Sequence, residues 1–463
     1  MQTTRTHLLA KLVMFFSCLT LACGYGIISA HFQIFPYPLV HDALLAVKAL
    51  RKLRKENPKL SSVEFWDETG TKGPVYSTVS PGSGTEPVLI LGNQSAYRDV
   101  RSGNSYLAWI ATRQGDVLHA WRDPGEIWAP LQGRKAVGDK WRSYPVGAHL
   151  YPNGDLLVSF QGVGVFPYAM GLAKFDKDSR LIWKNPDLLH HWFSVGAGGE
   201  IYIPRRKAAT SPLQLGDYEK KIVCDEGTFG YDVIEVLDPS GKRIKQIDMV
   251  DSLVRSDLVG LFSVFTEGAD DVVETCDPTH LNDAQILSEE MAAEYPLFQA
   301  GDILVSFRTL NTIGVIDPRT GLFKWHYQGS AHQQHSPRFI GDNVIVYVDN
   351  LGGLKSRGTS RIMAVNVGTS KTETVFPRSG NALPQRTFRT KTAGHIDISR
   401  MGDRILASWT RQGLVWEVDV KTGEVLWEFI NTHEVDGRPA RISVHTAKYV
   451  PTIDFEMNGG RLN

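Results

Sequence analysis

The chain of 463 residues is poor in cysteine, with four, and no two of them stand at a C-x-x-C spacing. Thiolate zinc sites and thioredoxin-type redox chemistry are therefore excluded. Neither sign of charge is in surplus, because 50 Lys+Arg face 50 Asp+Glu. A polybasic face is thus not the organising feature, and no nucleic-acid partner is expected. Long helical periods are scarce as well, while 43 Gly and 23 Pro make a chain that turns often. This composition excludes a helical bundle and a disordered tail. One stretch lacks charge altogether: no Asp, Glu, Lys or Arg occurs from Leu12 to Val40.

Within that stretch Leu12 to Ala30 is long enough to cross the hydrocarbon core as a helix. Arg5 and Lys11 precede it and no A-x-A cleavage site follows, which reads as a retained signal anchor over residues 1–31. A linker follows over 32–60, in which Val40 to Leu53 (VHDALLAVKALRKL) sets apolar residues at helical spacing opposite cations. Such a helix lies along a membrane surface or serves as a solvated linker. The expected placement is membrane-anchored through the N-terminal helix, with the rest of the chain on the periplasmic or extracellular side. There Cys224 and Cys276, the pair outside the apolar segment, are free to form a disulfide, although spacing does not say whether they approach.

What the chain has in quantity is a repeat. NGDLLVSF is followed by GLAKFDKDSRLIW, GDILVSF by GVIDPRTGLFKWHY, DNVIVYV by RIMAVNVGTSKTETVF, and DRILASW by LVWEVDVKTGEVLWEF. A further copy runs from GEIYIP to DVIEVLDPSGKRIKQI, and a first is visible at YLAWIATRQGDVLHAW, making six. Each copy is too small to bury its own faces, so the copies pack radially. The fold class expected is all-β, a six-bladed β-propeller over residues 61–455 with a tail at 456–463. Trp183, Trp325 and Trp427 end equivalent hairpins, where a large ring fills the wedge between blades.

Histidines fall just ahead of the strands that begin the copies: His149 (HLYPNGDLLVS), His191 (HWFSVGAGGEIYIP), His335 (HSPRFIGDNVIVY) and His395 (HIDISRMGDRILAS). His280 enters its copy after a longer insertion, and His445 follows the last complete copy. The first strand of a blade lies nearest the axis, so these imidazoles are expected to converge on one mouth of the central channel. Recurrence at equivalent positions is hard to explain by packing alone.

The stretches LLHHWFSVGAGGEIYIP, DPTHLNDAQIL, HQQHSPRFIGDNVIVYVDN and GHIDISRMGDRILASWTRQGLVWEVDVKTGEVLWEFIN resemble the arylsulfotransferase family, the 3′-phosphoadenylylsulfate-independent aryl-sulfate sulfotransferases built on a six-bladed propeller. The resemblance implies sulfuryl transfer from an aryl sulfate to a phenol through a sulfohistidine, with small-molecule partners, no cofactor and no metal. By order of blades it places the nucleophile at His395 and its neighbours at His335 and either His190 or His191. It places the anion-binding arginine at Arg357, with Arg361 as competitor. His149, His280, Asn282, Asp283 and Arg308 are further expected substrate contacts, with Asn311 beside Arg308. Asp283 is read either as the group that orients His280 or as a turn cap.

Trp192 stands where the family often has Asp or Ser after the paired histidines, which leaves a ligand-binding, non-catalytic propeller as the alternative. A metal held by the histidines is a third reading. Homo-oligomerisation stays open.

Overall fold

Runs rich in β-branched and aromatic residues, each closed by Gly, Asn or Asp turns, favour short antiparallel strands. The computed structural model describes residues 2–32, 35, 63–64, 73–92, 106–122, 127–128, 143–162, 168–224, 229–265, 272–350, 360–381, 388–390, 392–435 and 438–450. In it the runs form six antiparallel blades. From the axis outward, blade 2 is Ser143–Leu150, Leu156–Gly162, Ala169–Phe175 and Leu181–Asn185. Blade 3 is Ser194–Val195, Ile201–Ala209, Phe229–Leu237 and Arg243–Asp248. Blade 4 is Leu281–Ile286, Ile303–Phe307, Thr312–Ile316 and Phe323–Tyr327. Blade 5 is His335–Gly341, Val344–Asp349, Arg361–Asn366 and Thr372–Phe376.

The ring closes twice. Blade 1 takes its innermost strand from the far end of the chain, Thr446–Tyr449, which pairs Val88 with Tyr449 and is followed outward by Val88–Leu91, Tyr106–Ala111 and Val117–Arg122. Blade 6, His395–Ile398, Arg404–Trp409, Leu414–Asp419 and Val425–Ile430, gains a fifth, outer strand from Val75–Thr78. Both ends of the propeller are thereby hydrogen-bonded into blades they do not begin, with Val75–Thr78 as the outer edge strand of blade 6.

Packing runs between blades. Leu89, Leu107 and Trp121 of blade 1 share one buried cluster with Leu156, Val158 and Phe175 of blade 2. Each such side chain contributes about 1.5–3 kcal/mol on leaving water. Trp183 lies over the Gly241 turn of the next blade, where a Cβ would come within 2.7 Å of the indole and φ is +82°. Glycine is required there on both counts. Blade 3 carries an inserted sheet of Leu213–Leu215, Tyr218–Val223 and Val272–Glu274, closed by a disulfide between Cys224 and Cys276.

Residues 1–60 form a unit separate from 61–463. The unit contains a helix, Gln2–Phe32. Among the described residues no helix is long and apolar enough to cross a membrane. Val40 to Leu53 and the tail 456–463 lie outside the described residues.

Candidate active site in the propeller channel

Neighbouring first strands pack on one another around the axis, and those of blades 5 and 6 begin with a histidine. His190 and His191 touch ring to ring at 4.9 Å between centroids, and His191 reaches His280 at 5.1 Å. Trp192 then bridges to His335 at 6.0 Å and His395 at 5.8 Å. His191 and His280 hold positive φ values of 57° and 46°. Left-handed backbone costs a non-glycine residue about 1–3 kcal/mol, so the packing around these two enforces it. His149 stands apart: it lies near the end of its strand, half-buried, with its ring against Tyr151 at 4.6 Å. His445 stacks on Tyr144 at 4.9 Å.

Two layers of polar groups surround these rings. In the first, Asp277 accepts from Tyr168 Oη at 2.8 Å, lies 2.9 Å from Arg206, and meets His280 Nδ1 at 2.7 Å. Burial alone would raise the Asp277 carboxyl, but His280 and Arg206 hold it well below its usual range. Asp232, buried, lies 3.3 Å from His190 Nε2 and accepts from Leu281 N and Thr279 Oγ1 at 2.6 and 3.0 Å. The orienting carboxylate of His280 is thus Asp277, three residues upstream, and not Asp283. Asp283 faces the second layer.

There Arg338 donates to Asp283 at 2.7 Å and to His395 Nε2 at 3.0 Å. Since Nε2 accepts, the neutral His395 ring carries its proton on Nδ1. Lys448 donates to Ala148 O at 3.1 Å and lies in the field of Asp397 and Asp283. Burial pushes both Asp283 and Asp397 up, and it pushes Lys448 down. Trp192, 2 % exposed, crosses this layer and donates from its indole to Thr446 Oγ1 at 2.9 Å.

His335 is held at both nitrogens: Nδ1 faces Asn350 Oδ1 at 2.8 Å and Gln333 O at 2.9 Å, while Nε2 accepts from Ala393 N at 3.2 Å. Burial lowers its pKa to about 3 and takes His191 and His395 well below the usual value. Arg308 donates to Gln333 Oε1 at 2.9 Å, and among the described residues no carboxylate pairs with it. Its environment includes Tyr168, Asp277 and His335.

Other expected residues find structural partners. Asn282 donates to Gln334 O at 2.8 Å, and Asn311 Oδ1 accepts from Gln333 N at 2.8 Å. Arg361 is paired with the buried Asp349, and Arg357 lies outside the described residues. Sequence reasoning missed Arg338, Lys448, Asp277 and Tyr168. A signal for two of them exists: Arg338 and Lys448 each stand three residues after a histidine, in HSPR and HTAK, on first strands. Among the described residues no cluster of three His, Cys, Asp or Glu side chains is arranged to hold a metal ion.

Residues 147–432 match the family model described as Arylsulfotransferase (ASST). No curated protein matches the sequence. Among solved structures, a protein of unknown function from Bacteroides caccae is similar at 10% identity and TM-score 0.43, covering 79% of this chain and 98% of its own. TolB from Acinetobacter baumannii is similar at 10% identity and TM-score 0.42, over 80% and 68% of the two chains. Virginiamycin B lyase from Staphylococcus aureus is similar at 13% identity and TM-score 0.31, over 64% and 77%.

Proposed function

From the premise that this chain belongs to the arylsulfotransferase family, we propose that it transfers a sulfuryl group from an aryl sulfate to a phenol through a sulfohistidine. The observation that carries the reading is that two channel cations hydrogen-bond to neutral acceptors: Arg308 donates to Gln333 Oε1 at 2.9 Å and Lys448 to Ala148 O at 3.1 Å, while Arg338 bridges Asp283 and His395 beside them. A sulfate ester brings the missing negative charge, and preorganised cations stabilise what develops on the sulfuryl oxygens and the departing aryl oxide.

His395 is the nucleophile in this reading. Neutral at pH 7 through burial, it attacks sulfur with the nitrogen Arg338 now occupies, the N–S bond forming as the S–O(aryl) bond breaks. Arg338 then moves from that nitrogen to the sulfuryl oxygens, with Asp283 as its tether. His191, neutral through burial and engaged by His190 at Nδ1, offers its Nε2 to the bound ester, while His335, engaged at both nitrogens, fixes the channel wall beside it. Trp192 turns aside to admit substrate. Replacing His395 or His335 by Ala abolishes sulfate transfer between phenols while circular dichroism stays unchanged. Full turnover in both variants overturns the site.

Trp192 itself favours one other reading. If its indole stays hydrogen-bonded to Thr446, the propeller binds a ligand at the first layer without turning it over. Ligand binding without consumption of aryl sulfate supports that reading, and steady consumption removes it. The charge-free Leu12 to Ala30 and the Cys224–Cys276 disulfide support a membrane-anchored protein whose propeller faces the periplasm or the exterior.

A further inference from the structure

One side chain crosses the channel and reaches almost every blade. Trp192 enters from the segment leading into blade 3, and its backbone N–H donates to Asn282 O of blade 4 at 3.4 Å. Its indole N–H donates to Thr446 Oγ1 of blade 1 at 2.9 Å, and that hydroxyl is fixed in turn by donating to Val146 O of blade 2 at 2.5 Å. The indole ring meets His335 of blade 5 and His395 of blade 6 at 6.0 and 5.8 Å between centroids. A fused pair of aromatic rings therefore already lies against both histidines, in the place a two-ring aryl group would need.

The backbone that carries the indole cannot retreat. The peptide between His191 and Trp192 is held on both sides: its carbonyl accepts from Ser159 Oγ of blade 2 at 2.6 Å, and its N–H is the one given to Asn282. Gly147 of blade 2 approaches so closely that a Cβ there would lie 3.0 Å from the same carbonyl. His191, at a left-handed φ of 57°, sets the direction in which Trp192 leaves the chain. When the indole leaves Thr446 it turns about its own side-chain torsions and stays in the channel, beside His395. A close-packed wall offers no second volume to compensate, and a group larger than the space left is rejected by overpacking.

We propose that Trp192 sets the size of the substrates: with the indole retained in the channel, the centre takes aryl sulfates and phenols of a single ring and rejects those with a second fused ring. The proposal rests on the sulfotransferase reading and names the substrate class of that site. Trp192 is in this account a specificity-determining residue. Its bulk acts, and its hydrogen bond to Thr446 only parks the ring between turnovers.

The test uses the full-length chain, p-nitrophenyl sulfate as donor, and phenol against 2-naphthol as acceptors. These two acceptors are of similar acidity, so the ratio of their kcat/KM values, 2-naphthol over phenol, reads size. In the unaltered protein the ratio is well below one. In Trp192→Ala it rises by about 10–10²-fold. In Trp192→Phe, which keeps a ring but loses the bond to Thr446, it rises much less. A ratio unmoved in Trp192→Ala, or moved equally in Trp192→Phe, overturns the proposal while leaving sulfuryl transfer intact. Absence of nitrophenol release by the unaltered protein overturns the transferase reading and this proposal together. A second readout needs no turnover: indole, the group removed, raises the thermal unfolding midpoint of Trp192→Ala and leaves that of the unaltered protein where it is, because an apolar vacancy in a rigid wall binds what fits it. No such rise overturns the size assignment. Should Trp192→Ala not fold, the unaltered protein decides alone: a strong preference for phenol supports the proposal, and equal kcat/KM for the two acceptors overturns it.

Discussion

Two buried charge networks lie in this propeller, and they are built on opposite principles. At the seam between blades 6 and 1, Arg113 and Glu417 meet at 3.0 Å, and Arg404 reaches Glu417 at 3.2 Å and Glu86 at 3.0 Å. Glu417 also accepts from Gly84 N and Tyr449 Oη, both at 2.9 Å. Two cations face two carboxylates, and both oxygens of Glu417 accept hydrogen bonds. The network staples the chain's early segment, its first and last blades and its final strand. In the channel, Arg338 is tied to Asp283 and Arg206 to Asp277, but Arg308 and Lys448 hydrogen-bond to the neutral oxygens of Gln333 and Ala148. A network whose cations all meet carboxylates closes a fold, whereas cations on neutral acceptors are what the proposed sulfate ester would use.

The largest effect that distinguishes them is expected at Glu417. Glu417→Gln leaves Arg113, whose side chain is 3% exposed, with only the more distant Glu86 carboxylate at 3.8 Å, and costs about 3–5 kcal/mol of stability in urea unfolding. Activity per folded molecule stays close to that of the unaltered protein. Next comes Arg338→Gln, which is expected to lower turnover by about 10²–10³-fold with a smaller change in unfolding midpoint. A reversal of these two patterns breaks the distinction between closure and site.

Acid titration sharpens it further. Burial lowers His149, His335 and His445 to about 3 from 6.5, so the folded state keeps these rings neutral while the unfolded chain protonates them. Their contribution to stability is complete above about 6.5 and is lost as pH falls toward about 3. Thermal unfolding across that window should show a midpoint that declines with pH, less steeply in His335→Gln. The smallest effect is expected from an exposed pair: Arg319→Ala, whose side chain is 69% exposed beside Asp317, leaves the unfolding midpoint unmoved.

Six blades were legible because each copy repeats the same alternation and the same Gly-bearing turn, and Trp183 and Trp427 take the packing positions expected of them. Closure was not legible. Thr446–Tyr449 and Val75–Thr78 pair with strands more than 340 residues away in sequence, and nothing local marks such partners. In the channel, imidazoles at equivalent positions announced a site, yet their partners did not follow from sequence proximity. Asp283 looked placed to orient His280 but alternates to the channel face and meets Arg338, while Asp277 reaches the ring from the preceding turn. His149 shares the spacing of the others but lies near the opposite end of its strand.

Mass spectrometry of the full-length protein, mixed briefly with a chromogenic aryl sulfate and quenched at alkaline pH, tests sulfuryl transfer most directly. A sulfuryl adduct that maps to His395, formed as the phenol is released, is the predicted result. No adduct on any channel histidine and no phenol release across several aryl sulfates contradicts it.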